Sequence, residues 1–183
     1  MAVRSRGLMT GMFRDREAAE RAYGSVTARG YGKDDVSLLM SEDTRARCFP
    51  RDAVEKTELG TKAAEGAGVG GVTGGALGAL LLGLAAAGVA VPGLPIIAMG
   101  PLAAALVGAG SGGTVGAIIG ALVGSGIPEE RARLYDEGIK SGGIVVGVTP
   151  RTDEDAEYFE REWTGAQGEQ IYRATPGPTR TIR

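Results

Sequence analysis

The chain has 183 residues, enough for one compact domain or for a small domain with a large insertion. Its formal net charge of −2 argues against nucleic acid as a partner, and its lack of histidine removes the commonest general base and metal ligand. The single cysteine, Cys48, allows no disulfide within the chain.

The first residues predict a strand followed by a helix. The apolar run 7–13 is typical of a short strand. Asp15 is placed to cap a following helix, which carries Ala18, Ala22 and Val26 on one face at four-residue spacing. We therefore expect one face of this helix to pack inward.

A second strand and a connector follow. Gly30 is expected to end the helix. Residues 35–41 alternate apolar and polar side chains, which predicts a half-buried strand. Residues 42–60 contain many charges and Pro50, and we expect a connector that becomes helical towards Glu58.

The last part of the chain repeats this pattern. Pro128, Glu129 and Glu130 open a short predicted helix, which Gly142 and Gly143 end. The remaining predicted elements are a strand at 144–148, a helix capped by Thr152 or Asp153 and carrying Ala156, Phe159 and Trp163, a strand at 170–173 and a loose tail.

The element order predicts an α+β fold. With its middle removed, the chain matches a ferredoxin-like split βαβ domain. We expect a long apolar helical hairpin inserted between the second and third strands. The domains are then 1–60 (first half of the ferredoxin-like domain and connector), 61–127 (hairpin), 128–173 (second half) and 174–183 (flexible tail).

The middle of the chain holds no Asp, Glu, Lys or Arg over residues 66–128. A helix on a domain surface normally has a polar face, so this length exceeds what a small core requires. We expect helical arms at 61–90 and 96–126, separated by a turn at 91–95. Each arm would have about 30 residues and a length of roughly 45 Å, which is sufficient to cross a hydrocarbon layer of ~30 Å.

Glycine recurs at every fourth residue along both predicted arms. This spacing places each row on one helix face, where two backbones can approach closely. The glycines expected to mediate helix packing or oligomerisation are Gly66, Gly70, Gly74, Gly78, Gly108, Gly112, Gly116, Gly120 and Gly124. The residues expected at the hairpin tip are Leu80, Leu81, Leu84, Pro92, Gly93, Pro95 and Ile96.

No segment carries a complete chemical motif. Residues 66–71 and 108–113 match G-x-G-x-x-G, but neither lies between a predicted strand and a helix, as a dinucleotide site requires. Cys48 has no histidine partner. The acidic residues of 153–157 suit the first turn of a helix. We therefore predict no catalytic, cofactor-binding or metal-binding residue, no cofactor and no enzymatic activity.

Several stretches resemble a known family. They are Gly-Met-Phe-Arg-Asp-Arg-Glu-Ala-Ala-Glu-Arg-Ala at 11–22, the segments 30–31 and 35–39, the glycine-rich middle, and the segments 126–132 and 135–146. Over nearly all of 7–172 the chain is similar to bacterial heat-induced or general stress proteins of the YflT-like group, whose glycine-zipper members are also labelled low-temperature-induced proteins. The resemblance implies a bacterial, stress-associated, non-enzymatic protein that is linked to a membrane, and it carries over no catalytic residue.

Three functions stay open. The uncharged length and glycine rows favour a stress-associated membrane protein, whose hairpin inserts in the bilayer and oligomerises. The alternative is a self-assembling structural protein that forms a ring, cage or filament by hairpin–hairpin packing, favoured because no aromatic residue lies between Phe49 and Tyr135. The third is an enzyme or ligand sensor on the ferredoxin-like sheet, which requires a pocket that the sequence does not mark.

The expected partners follow from these functions. They are further copies of the chain and the lipid bilayer, without nucleic acid or a small-molecule substrate. Residues 1–7 lack the apolar run of a secretory signal. We therefore expect the bacterial inner membrane with the αβ domain in the cytoplasm, or a cytoplasmic assembly for the alternative.

Overall fold

The structure, a computed structural model, describes residues 7–49, 89–90, 96–108 and 116–174. These residues form six strands and six α-helices. The strands are β1 (Met9–Phe13), β2 (Val36–Ser41), β3 (Val89–Ala90), β4 (Ile96–Met99), β5 (Ile144–Val148) and β6 (Glu169–Arg173). The helices are α1 (Arg16–Ala28), α2 (Glu42–Cys48), α3 (Pro101–Gly108), α4 (Gly116–Gly124), α5 (Glu129–Lys140) and α6 (Asp153–Gly165).

The described strands form one antiparallel sheet in the order β3-β4-β2-β5-β1-β6. β5 lies between β1 and β2, which α1 connects. β1 lies in turn between β5 and β6, which α6 connects. These four strands and two helices therefore have the split βαβ order of a ferredoxin-like domain.

Side-chain caps determine where the helices of the two βαβ units begin. The Ala18 amide donates to Asp15 Oδ1 at 2.8 Å, and the Asp155 amide donates to Thr152 Oγ1 at 2.9 Å. Each cap satisfies an N–H group that the first helical turn leaves without a partner. The cap predicted at Asp15 is confirmed, and Thr152 rather than Asp153 caps α6.

Helices cover both faces of the sheet. α1 and α6 pack on one face, where Phe13, Phe159 and Trp163 are fully buried. α3, α4 and α5 pack on the other face around Leu39 and Tyr135. The prediction of a half-buried β2 is therefore wrong: every residue of β2 is buried except Ser41, which is partly buried, because both faces of the strand are covered.

The predicted helical hairpin is wrong, and the predicted fold class is wrong because it includes that hairpin; the coarser α+β class is confirmed. Residues 89–90 and 96–99 form an antiparallel pair of strands where helical arms were expected. The described remainder of the second arm forms two short helices, α3 with 8 residues and α4 with 9. β4 also pairs with β2, so this segment extends the sheet instead of leaving the domain. Most of the first arm lies outside the described residues.

The uncharged composition of α3 and α4 has a local cause. Leu102 and Leu106 of α3, and Ile118 and Leu122 of α4, are buried in the core between these helices and the sheet. Burying such side chains removes apolar surface from water, which is favourable by about 25 cal/mol per Å². The second face of the sheet therefore buries the apolar side chains of α3 and α4, which were expected to be buried by lipid or by other copies of the chain.

Candidate functional site

A cleft of about 340 Å³ lies at one end of the sheet, where β2 ends and where β4 and β5 begin. Its walls come from α2, β4, α4 and the end of α5. The lining residues are Ser41, Asp43, Thr44, Arg47, Ile96, Ile118, Ile139, Lys140, Ser141 and Gly142. The volume is near the lower end of the range for small-molecule sites, which favours a ligand smaller than a nucleotide.

Three isoleucines form the apolar wall of the cleft. Ile96 belongs to β4, Ile118 to α4 and Ile139 to α5, and all three are buried. Their branched side chains have few rotamers, so they present a stable surface. This wall suits an aliphatic group of a ligand.

The hydroxyl groups of α2 are engaged in helix capping. Ser41 Oγ accepts a hydrogen bond from the Thr44 amide at 3.1 Å and donates one to Thr44 Oγ1 at 2.8 Å. These bonds hold the start of the helix. They also leave the Ser41 hydroxyl without the adjacent base that a serine nucleophile requires.

Two opposite charges on α2 face the cleft. Asp43 and Arg47 are one helical turn apart, both are exposed, and both line the cavity. Within the described part of the chain, neither forms an ion pair. One carboxylate and one guanidinium therefore line the cavity side by side on α2.

Lys140 provides the third charge in the cleft, and an ion pair with Asp136 compensates it. Lys140 Nζ donates to Asp136 Oδ2 at 2.6 Å. Asp136 is buried, and its Oδ1 has no hydrogen-bond partner among the described residues. Because a buried carboxylate requires a counter-charge, Asp136 keeps the Lys140 ammonium close to the end of α5.

Gly142 brings the backbone before β5 close to Arg47. Its φ is +96°, which L side chains rarely adopt. A Cβ atom there would lie 2.9 Å from Arg47 Nη2 and 3.7 Å from Thr44 Oγ1. Only glycine therefore combines this turn with the observed position of the guanidinium.

A separate polar cluster joins α6 to the segment between α1 and β2. Tyr31 donates to Asp155 Oδ2 at 2.8 Å and accepts from the Arg151 amide at 2.5 Å. Burial opposes the charge on Asp155, but hydrogen bonds from Tyr31 and at Thr152, together with the charge of Arg29, lower its pKa below the usual value. These groups bond to one another across two elements, which is a structural role.

The predicted glycine rows are only partly described. Gly116, Gly120 and Gly124 are exposed on α4, and a Cβ at any of them would meet no described atom within 4 Å. Gly108 ends α3. The other members, Gly66, Gly70, Gly74, Gly78 and Gly112, lie outside the described residues. Oligomerisation through these glycines stays a prediction.

The predicted hairpin tip has one described member. Ile96 is a residue of β4, where it is buried and forms part of the cleft wall. The others, Leu80, Leu81, Leu84, Pro92, Gly93 and Pro95, lie outside the described residues. The sequence therefore predicted Ile96 at a hairpin tip, whereas the structure places it in the wall of the cleft.

A search of the described residues finds no helix with both the length and the apolar character needed to cross a membrane. Spanning a bilayer takes about 20 apolar residues, whereas α3 has 8 and α4 has 9. This finding overturns the predicted function as a bilayer-inserted protein and the predicted inner-membrane location. The alternative, assembly by hairpin–hairpin packing, loses the hairpin on which it depends.

The cleft has no mark in the sequence, for a clear reason. α2 lies where Pro50 and the many charges predicted a connector, although Ser41 precedes an Asp43–Arg47 pair at helical spacing. That signal was sufficient for a helix. It was insufficient for a site, because the apolar wall comes from β4, α4 and α5, which are distant in sequence.

Neither a metal site nor a related protein indicates a function for this chain. Among the residues that the structure describes, no group of three or more His, Cys, Asp or Glu side chains is arranged to hold a metal ion. Comparison of the chain with protein-family models, curated proteins and solved structures finds no match. Among the described residues, the cleft is therefore the feature that indicates a function.

Proposed function

We propose that this protein is a non-enzymatic binding domain whose cleft takes a small organic molecule with an anionic group and an aliphatic part. The observation that carries the proposal is the meeting, in one cavity, of the Arg47 guanidinium and the wall of Ile96, Ile118 and Ile139. A guanidinium binds a carboxylate through two parallel hydrogen bonds. The isoleucine wall adds apolar burial for the rest of the ligand.

The arrangement favours binding over turnover. Covalent catalysis by a serine needs its hydroxyl within hydrogen-bond reach of a base. In the cleft, Ser41 bonds to Thr44, and Ser141 Oγ donates to the Glu137 carbonyl at 2.6 Å. Recognition of a ligand requires none of these hydroxyls to react. The resemblance to stress proteins stays a prediction, and it names no ligand.

The test is an NMR titration of the ¹⁵N-labelled full chain with 4-methylpentanoate, a short aliphatic acid. Binding is expected to shift amide signals within residues 41–47 and 139–142. The neutral alcohol 4-methylpentan-1-ol has the same carbon skeleton and is expected to bind more weakly. Arg47→Gln is expected to weaken acid binding about tenfold, because it removes a charge-assisted bond.

The matched control is Arg45→Gln. Arg45 belongs to the same helix but does not line the cleft, so this variant is expected to bind as the unmodified protein does. Absence of localised shifts with every aliphatic carboxylate tested, or equal affinities of the unmodified protein and Arg47→Gln, would overturn the proposal.

A further inference from the structure

We infer that the ligand is a zwitterion of the aliphatic amino-acid class, with its carboxylate on Arg47, its ammonium on Asp43 and its side chain on the isoleucine wall. This inference rests on the proposed function and narrows it. It assigns to Asp43 the role of binding the ammonium. A simple anion would give Asp43 no role.

The charges of the cleft favour a ligand without net charge. Asp43 and Arg47 line the cavity as opposite charges, and Lys140 is compensated by Asp136. These four charges cancel. A simple carboxylate at Arg47 would also approach the Asp43 carboxylate and be repelled by it. A ligand that carries its own ammonium next to its carboxylate turns this repulsion into attraction.

The spacing of the two charges supports recognition of adjacent groups. Positions i and i+4 on a helix have Cβ atoms about 5–6 Å apart, so a short Asp and a long Arg can reach neighbouring atoms of one small molecule. The pair Asp136–Lys140 has the same spacing and closes at 2.6 Å. Asp43 and Arg47 form no such pair, although both line the cavity. The two charges therefore line the cavity without neutralising each other.

The size of the cavity limits what accompanies these groups. A volume of about 340 Å³ is near the lower end for small-molecule sites. With three isoleucines as its apolar wall, the cleft suits a branched aliphatic side chain. Inorganic phosphate, the other common partner of a guanidinium, would use neither Asp43 nor this wall.

The experiment compares four molecules. L-leucine, 4-methylpentanoate, which lacks the ammonium, and 3-methylbutan-1-amine, which lacks the carboxylate, share the same branched aliphatic chain, and inorganic phosphate lacks that chain. NMR titration of the full chain is expected to give an affinity for leucine about tenfold above that for either analogue. Asp43→Asn is expected to lower leucine affinity about tenfold and to leave or increase acid affinity. Arg47→Gln is expected to weaken both.

The control and the contrary outcomes separate the two proposals. Glu42→Gln removes a neighbouring exposed carboxylate that does not line the cleft, and it is expected to leave the leucine preference intact. Dispersed amide signals will verify that each variant is folded. If the acid binds as tightly as leucine, the zwitterion inference fails while the proposed function stands. If phosphate binds more tightly than leucine and the acid, the aliphatic part of the proposed function fails as well. If none of these probes shifts the cleft signals, both fail.

Discussion

At Gly142, the conformation of the backbone determines how much space is left for the Arg47 side chain in the cleft. We expect Gly142→Ala to lower the free energy of unfolding by about 1–2 kcal/mol, because φ of +96° is strained for any residue with a Cβ. The new methyl group would also displace the Arg47 guanidinium, whose Nη2 would lie 2.9 Å away. Urea denaturation measures the loss of stability, and acid titration measures the effect on the cleft.

Gly165→Ala is the matched control for this variant. Gly165 ends α6 without a positive φ, and a Cβ there would meet no described atom within 4 Å. Its replacement is expected to be neutral or to stabilise by a few tenths of a kcal/mol, since alanine is the better helix former. Equal stabilities of the two variants would contradict the strain assigned to Gly142.

Single-residue predictions succeeded where the relevant partner is close in sequence. The cap at Asp15 depends on an amide three residues away, so its pattern was sufficient. The roles of Asp43 and Arg47 depend on Ile118 and Ile139, which approach them only in the folded chain. Local spacing therefore indicated a helix but could not indicate a cleft.

Between elements, Tyr135 joins α5 to both β1 and β6. Its hydroxyl donates to the Gln170 carbonyl at 2.5 Å and lies 2.9 Å from Thr10 Oγ1. Burial raises the pKa of Tyr135 to about 12, although its contacts with Thr10 and Arg131 act in the opposite direction. The folded protein therefore favours the neutral phenol.

This pKa predicts how stability depends on alkaline pH. Between about pH 10 and 12 the phenol of the unfolded chain loses a proton that the folded chain keeps, so the free energy of unfolding falls as pH rises. The contribution is fully present below pH 10, and its steepest loss is about 1.4 kcal/mol per pH unit. Tyr135→Phe is expected to be less stable at neutral pH and to show a shallower alkaline decline.

Urea denaturation at several pH values tests this prediction. Tyr158→Phe is the control, because Tyr158 is only partly buried on α6 and packs on the opposite face of the sheet from Tyr135. It is expected to keep the alkaline slope of the unmodified protein. If Tyr135→Phe also keeps that slope, the raised pKa is not what couples folding to pH.

The middle elements show why the hairpin prediction failed. An apolar, glycine-rich segment is compatible with a buried helix or a buried strand, since neither requires a polar face. A strand signal was nevertheless present, because Ile96–Met99 is a short apolar run between Pro95 and Gly100. The four-residue glycine spacing favours helices and conflicts with this boundary.

For the whole molecule, the described part of the uncharged segment buries its apolar surface against the sheet of the same chain, whereas burial by lipid or by other copies was expected. Part of the uncharged segment forms β4, α3 and α4, which extend the sheet and cover its second face. This solution depends on β2 pairing with β4 and β5, contacts between distant parts of the chain. No local pattern specifies such pairings. The order of the elements was therefore sufficient to predict the split βαβ arrangement, but it could not predict that α3 and α4 cover the second face of the sheet.

Self-association is the last prediction, and α4 is where it can be tested. Gly116, Gly120 and Gly124 leave open space on an uncharged helix face, and Val123 beside them is 43% exposed. If copies pack there through close backbone contact, Gly120→Glu will prevent it, because the carboxylate would be buried without a counter-charge. Sedimentation is expected to show concentration-dependent association of the unmodified chain and of Gly165→Glu, whose charge lies on α6, but not of Gly120→Glu. An unmodified chain that stays monomeric at every concentration would refute the prediction, and association that survives Gly120→Glu would place the contact elsewhere.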